Sequence, residues 1–344
     1  MTKVLHIPGN IEILHHALDE DINLAETGLR PPITPEAVLE LPTWEEFDVL
    51  HVHTVEFTDQ SALERLGKTA LHLGKRLVFS LHELSPNIES DQLSFVDKTR
   101  CITAMAHAVV TLSNAALHEG SERFAIPDEK MLVIPHGQPF EASVVDSRGS
   151  DARAIAAYSS MRTYRHYTNL VRAWRTLDPN ERPPLRVWVR SLAKFGEEFY
   201  KDDLAELRAT ADEESDFMLR VQSSFIPTNE LVEWLRPVGT LVLPYSNITH
   251  SGQLELGLDL GMRVIAPDFS TLRSQAAPHP RARTHAVFVE PTDITDPTAY
   301  ARHLNVPHAA RSKPTVDMER SVREHRAREL GLILEGYRRA YNVG

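Results

Sequence analysis

The chain has 344 residues, 42% hydrophobic and 25% charged, an ordinary globular composition whose length suits two domains. A net charge of −11 and an isoelectric point near 5.9 exclude a general binder of nucleic-acid backbones, although a cleft can still be basic. A single cysteine, Cys101, excludes an intrachain disulfide and a cysteine metal cluster.

The start, "MTKVLHIPGN", turns polar too soon for a signal peptide. No stretch approaches the roughly 18–20 apolar residues of a membrane span, so the cytoplasm is the expected location. "KVLHIPG" (3–9) predicts a strand ending in a Pro-Gly turn, and "DVLHVHT" (48–54) predicts a second. "SALERLGKTALHLG" (61–74) has helical spacing and stops at a glycine. "RLVFSLHE" (76–83) predicts a strand, "TRCITAMAHAVVTLS" (99–113) a helix running into a strand, and "MLVIPHG" (131–137) a further strand. The polar segment 138–154 reads as a linker.

The alternation then restarts. Strands are expected at 154–160, 185–191, 218–225, 240–245 and 263–269, with helices at 167–177, 201–214, 228–236 and 251–261. The tail 316–342 is a long amphipathic helix. Strand–helix alternation predicts parallel sheets with helices on both faces. The fold class is therefore α/β: two tandem Rossmann-like, doubly wound parallel-sheet domains with a cleft between them. The boundaries are expected at 1–148 and 149–315, with 316–344 packing back on the first domain. Ligands belong at the carboxyl ends of the strands.

Three segments carry candidate chemistry. In "YSNITHSGQLELGLDLG" (245–261), a strand ends near Tyr245 and a helix opens at Ser251 and Gly252. Free amides and the positive dipole end of a first helical turn suit a phosphate. The plainer reading makes Ser251 a helix cap, with Glu255 in the first turns. In "SSMRTYRHYTNLVRAW" (159–174), Arg162 and Arg165 follow a strand end. Two guanidiniums there suit a diphosphate, because each fork pairs with two oxygens; the plainer reading is a solvated basic loop. His82, at the end of "RLVFSLHE", can donate or accept a hydrogen bond to a sugar or a reacting hydroxyl, or be satisfied by local backbone. Glu83 beside it should point away, because neighbouring strand residues alternate faces.

His51 and His53 share a strand face, but a metal pair is set aside for want of a third ligand at a convincing spacing. "DED" (19–21) reads as a solvated surface run. No dinucleotide-binding glycine motif, phosphate-loop lysine, serine elbow or zinc-protease motif occurs in the sequence.

In order and spacing, "DVLHVHT", "LVFSLHE", "AVVTLSNAALHEG", "IPDEKMLVIPHGQPF", "RTYRHYTNLVRAW" and "LVLPYSNITHSGQLELGLDLGMRVIAPD" span nearly the whole chain. Together they resemble the GT-B-fold glycosyltransferases, most closely the retaining, nucleotide-sugar-dependent family 4 type. The resemblance implies metal-independent transfer of a sugar from a nucleotide diphosphate sugar to an acceptor hydroxyl, with no separate cofactor. It implies that Gly9 lies near the donor phosphates and that His82 sits at the active-site strand end. It implies that Arg162 and Arg165 act in catalysis by holding the diphosphate, Arg165 standing where the family usually has lysine. It further implies that Ser251, Gly252, Gln253 and Leu254 cradle the diphosphate, near Tyr245, and that Arg190 and Phe225 flank the base. Ile248 and Leu256 stand where the family often carries glutamates, and Glu255, one residue off, is the candidate to hold the ribose. These departures motivate the alternative of a non-catalytic sugar-nucleotide-binding or partner-activating protein. Some family members touch membranes through basic amphipathic surfaces; the acidic balance here disfavours that, and nucleic acid is no partner.

Overall fold

The computed structural model describes residues 2–7, 22–26, 44–56, 58–86, 92–137, 153–162, 164–191, 200–224, 226–305 and 316–342. The chain forms two compact units, Met1–Pro139 with Arg326–Gly344, and Phe140–His325. The second division falls inside the helix Val316–Tyr341. Ile333, Tyr337 and Ala340, late in that helix, are the residues that join the core of the first unit.

The first unit is built on β1 (Thr2–Ile7), β2 (Ile22–Glu26), β3 (Val49–Val52), β4 (Arg76–Ser80), β5 (Ala108–Thr111) and β6 (Met131–Val133). All neighbours pair in parallel, in the order β2-β1-β3-β4-β5-β6. β3 and β5, "VLHV" and "AVVT", are buried at every position, as strands covered on both faces must be. One face packs Leu50, Val52, Leu77 and Phe79 against Leu63 and Leu66 of the helix Gln60–His72 and Phe95 and Ile102 of the helix Gln92–Met105. The other packs Val4, Val49, Val78 and Val110 under Ile333, Tyr337 and Tyr341.

The second unit holds β7 (Ala154–Ser160), β8 (Leu185–Arg190), β9 (Phe217–Gln222), β10 (Val238–Val242), β11 (Arg263–Pro267) and β12 (Ala286–Val289). These are also parallel, in the order β12-β11-β10-β7-β8-β9. The chain enters at β7, moves outward through β8 and β9, then returns beside β7 and runs out the other way. Direction therefore reverses between β7 and β10 here, and between β1 and β3 in the first sheet. Crossovers diverge at such points and leave a crevice beyond the carboxyl ends.

Both α/β units follow the expected class, and most elements lie where the apolar runs put them. β2, β12 and the helices Asn114–Phe124, Ser270–Ala276, Pro291–Thr295 and Pro297–Leu304 have no counterpart in the sequence reading. The helix before β5 begins at Gln92 rather than 99. "DED" and most of the expected linker lie outside the described residues.

The helix Gly252–Asp259 faces the crevice of the second sheet with its start and is fixed from behind. It turns off at Gly261, whose φ of 60° suits glycine. The buried guanidinium of Arg281 donates to the carbonyl of Leu258 at 3.0 Å and to that of Asp259, satisfying the last carbonyls of the helix. Gly257 lets this helix approach the sheet: a Cβ there would lie 2.5 Å from Val264 Cγ2 and 3.1 Å from Leu241 Cδ2. Gly257→Ala should destabilise the chain by about 1–3 kcal/mol through overpacking, outweighing alanine's helix preference of up to about 1 kcal/mol. A chemical-denaturation midpoint that stays put or rises would contradict this tight approach.

Candidate functional site

The crevice between β7 and β10 is where the two candidate loops of the second unit meet. Backbone bonds lock them: His166 N donates to Pro244 O at 2.7 Å and Ser246 N to Tyr164 O at 2.9 Å, with Arg165 and Tyr245 forming an antiparallel bridge. The Arg165 guanidinium lies 4.9 Å from the ring centre of buried Tyr245 and 5.5 Å from that of Tyr164. Cations over aromatic faces are attracted to them. Arg165 Nη1 also donates to Ser159 Oγ and, at 2.8 Å, to Ser160 O, the last residues of β7.

Arg190 joins this group. It ends β8, and its Nε donates to Ser160 Oγ at 3.0 Å. Burial, then the neighbouring charges of Arg162 and Arg165, hold its pKa below the usual arginine range. Three half-buried guanidiniums thus share one strand-end region, where an anion would relieve their repulsion. The resemblance implies a place for Arg190 beside the base; in the structure its side chain bonds Ser160 and neighbours Arg162 and Arg165.

The helix start reaches the same place through Tyr245, whose hydroxyl donates to Gln253 Oε1 at 2.7 Å. Burial holds that phenol above its ordinary pKa, more strongly than Arg165 pulls it down, so it stays a donor. Gln253 Nε2 in turn donates to Tyr158 O at 2.8 Å. Gly252 and Gln253 are half-buried and face outward from the core, whereas Leu254 is fully buried. Ser251 is a true helix cap: its hydroxyl accepts from Leu254 N at 3.3 Å. The Leu254 amide is therefore already engaged, and the plainer reading holds for that one group. The orphan amides that remain for a ligand are those of Gly252 and Gln253.

Glu255 is 4% exposed and accepts from Gln275 Nε2 at 2.7 Å. Gln275 also accepts from Ser251 N at 3.0 Å, and so ties the helix start to the helix Ser270–Ala276. Leu256 packs in the core and Ile248 against it. Gly9 and Phe225 lie outside the described residues.

In the first unit, His53, Thr54, Val55, Glu56, Phe79, Ser80, His82, Glu83 and Phe95 line a cavity of about 90 Å³. Both His82 and Glu83 face it. The alternation argument for Glu83 fails because β4 stops at Ser80, so neither residue obeys strand geometry. Burial, then His136, pushes the His82 imidazole down to about 4, so it is neutral at pH 7. Its Nε2 lies 3.2 Å from His53 Nδ1, and His53 Nε2 lies 2.6 Å from His6 Nδ1. His51, on the same face, holds Ser80 Oγ and Tyr341 Oη at 2.8 Å each. His6 is the third imidazole that the sequence reading lacked when it set aside a metal pair. Its signal was present: β1 reads "VLHI" and β3 reads "VLHV", and their register pairs His6 with His51.

No protein-family model matches the chain, and no curated protein matches it by sequence. Solved structures do. Anabaena HepE, solved with UDP-glucose, is 13% identical with a TM-score of 0.64, covering 99% of this chain and 98% of its own. A UDP-forming α,α-trehalose-phosphate synthase from Burkholderia vietnamiensis is 10% identical with a TM-score of 0.63, over 90% of this chain and 75% of its own. The pneumococcal O-GlcNAc transferase GtfA, solved with UDP and GlcNAc, is 12% identical with a TM-score of 0.55, over 86% and 56%. The chain has the GT-B glycosyltransferase fold. Among the described residues no helix is long and apolar enough to cross a membrane.

Tyr245 is the joint between the arginine loop and the helix start. Tyr245→Phe leaves Gln253 Oε1 without its donor and should cost about 1–3 kcal/mol. In a denaturation cycle with Gln253→Ala, the double variant should lose less than the sum of the singles; strict additivity would show that the bond couples nothing.

Proposed function

We propose that the chain is a retaining glycosyltransferase that moves a sugar from a nucleoside diphosphate sugar to an acceptor hydroxyl. The observation that carries this reading is the gathering of Arg162, Arg165, Arg190 and the amides of Gly252 and Gln253 at the carboxyl ends of β7, β8 and β10. Uridine diphosphate sugars are the first donors to try, because HepE and GtfA were solved with UDP.

Departure of the nucleoside diphosphate breaks the bond from the anomeric carbon to phosphate oxygen and places negative charge on that oxygen. The guanidiniums and helix amides stabilise this charge, the preorganised electrostatic effect that usually dominates such reactions. Permanently charged arginines do this without a metal at the diphosphate. The acceptor oxygen bonds the anomeric carbon from the face being vacated, and its proton passes to the leaving phosphate, which gives retention. Neutral His82 contacts the sugar or the acceptor through one donor or one acceptor nitrogen.

A second reading, a sugar-nucleotide-binding protein without transfer, has one observation in its favour. Leu256 is a core residue and Ile248 packs against the core where relatives of the resembled type carry glutamates, while Glu255 is held by Gln275. Turnover decides between the two: transfer or donor hydrolysis by the purified chain removes the second reading.

Arg165→Ala should lower turnover roughly 10²–10³-fold, the loss typical of removing one charge-stabilising donor. The thermal stabilisation given by a nucleoside diphosphate should shrink with it. Undiminished transfer by a folded Arg165→Ala chain would take this arginine out of the mechanism.

A further inference from the structure

The reversal between β1 and β3 makes the first sheet's own crevice, and imidazoles fill it. His6 and His51 are register partners on adjacent strands, and His53 follows two residues along on the same face. The ring centres lie 5.0 Å apart for His6 and His51, 5.0 Å for His6 and His53, and 4.0 Å for His51 and His53. One nitrogen from each can be chosen so that all three lie within 4.8 Å of one another. His6 and His51 are 1% and 0% exposed. Apolar packing on this face is already supplied by Val4, Val49 and Val78 against Tyr337 and Tyr341, so three rings with lone pairs are not needed to fill it.

We propose that His6, His51 and His53 form a binding site for one late first-row divalent transition ion, with zinc the foremost occupant. Imidazole is a preferred ligand of such ions, and three histidines with an open fourth position are an established zinc arrangement. Zinc–nitrogen bonds of about 2.0–2.1 Å put tetrahedral ligand nitrogens roughly 3.3 Å apart. The His6–His53 nitrogen pair, now 2.6 Å apart, would open, and the wider separations, up to 4.8 Å, would close. The rings are stacked, His6 on His53 at 19° and His51 on His53 at 30°, so binding turns them until the three lone pairs converge.

Surrounding groups suit the role. Ligation through one His51 nitrogen leaves the other held by a hydroxyl, from Ser80 or Tyr341. Such bonds fix the orientation of a ligating ring. His53 Nδ1 keeps its contact with His82 when Nε2 ligates. His53 also lines the cavity that holds Glu56 and Glu83, which gives an entry path and nearby negative charge for a cation. All three ligands belong to the first sheet and none is among the arginines and helix amides of the second, so metal uptake is measured apart from nucleotide binding, although His53 touches His82.

The test uses the full, tag-free chain, stripped with a chelator, dialysed against zinc or cobalt(II), and passed over a desalting column. Expected is about one equivalent of retained metal by mass spectrometry, with the intense visible absorption of tetrahedral cobalt(II). His6→Gln and His53→Gln should each weaken binding at least tenfold, whereas His118→Gln, at an exposed position, should leave it unchanged. Ligation releases one of the two His51 bonds, so of Ser80→Ala and Tyr341→Phe, which both keep all three ligands, the one that removes the remaining hydroxyl should weaken it about 10–100-fold and the other should not. A wild-type chain that retains less than about a tenth of an equivalent overturns the proposal whether or not any variant folds, and leaves the rings a hydrogen-bonded chain. Full uptake by a folded His6→Gln/His53→Gln chain also overturns it. Nucleotide binding, read separately by thermal shift, bears on the transfer reading alone.

Discussion

Everything in the second unit turns on Arg165 lying over Tyr245. A parallel sheet whose crossovers diverge leaves a crevice that no helix covers, and loops from sequence-distant strands must be brought together there. Here the two loops are stitched by backbone bonds on either side of the Arg165–Tyr245 bridge. The aromatic face holds the cation, and the phenol hydroxyl reaches the first turn of the helix Gly252–Asp259. One side chain therefore sets the distance between a guanidinium and a helix start, the two kinds of donor a diphosphate needs. Gln253 extends the link to Tyr158 on β7, so the helix cannot drift from the strand that carries the arginines.

Such an arrangement is costly without a partner for the charge. Burial first, and then the neighbouring charges of Arg162 and Arg165, oppose the protonation of Arg190. Part of the cost is met by acceptors at the end of β7, Ser159 Oγ, Ser160 O and Ser160 Oγ, and by the Tyr245 ring. These fix the groups in place before any ligand arrives. Donors that are already oriented need little reorganisation when negative charge develops, so in the proposed transfer their contribution would fall on the transition state rather than on folding. The rear of the helix is held to the same standard, with Arg281 on its last carbonyls and Gly257 pressed against β10 and β11.

The two sheets were legible because buried parallel strands read as short apolar runs, and "VLHV", "RLVFS" and "AIAAYSS" are such runs. β2 and β12 were not: "INLAE" and "AVFV" are edge strands of five and four residues, too short for a clear periodicity. In the candidate site, residue type and strand-end position were enough to single out Arg162, Arg165, Ser251 and His82. What sequence could not supply was the pairing of distant strands. Arg190 joins the arginines because β8 lies beside β7, and His6 meets His51 because β1 lies beside β3. Glu83 was misassigned for a different reason: face alternation holds only while the backbone is extended, and β4 ends at Ser80. Ser251 acts as a cap because a hydroxyl at that position finds the Leu254 amide at bonding distance before any ligand can.

The same topological feature occurs in both sheets, but it carries different chemistry. Guanidiniums at the second crevice remain charged throughout the physiological range and select for anions. Imidazoles at the first are kept neutral by burial: His51 and His53 are held well below their ordinary pKa, first by desolvation and then by neighbouring histidines, His53, His6 and His82 for His51, and His6 and His82 for His53. A neutral imidazole offers one donor and one lone pair, which suits a hydroxyl or a metal ion and gives an anion no net charge to pair with. Shape alone would not distinguish the two crevices, since both lie beyond the carboxyl ends of parallel strands. The basicity of the side chains placed there does, and it follows from a choice of arginine or histidine near the ends of a few strands and in the loops that follow them.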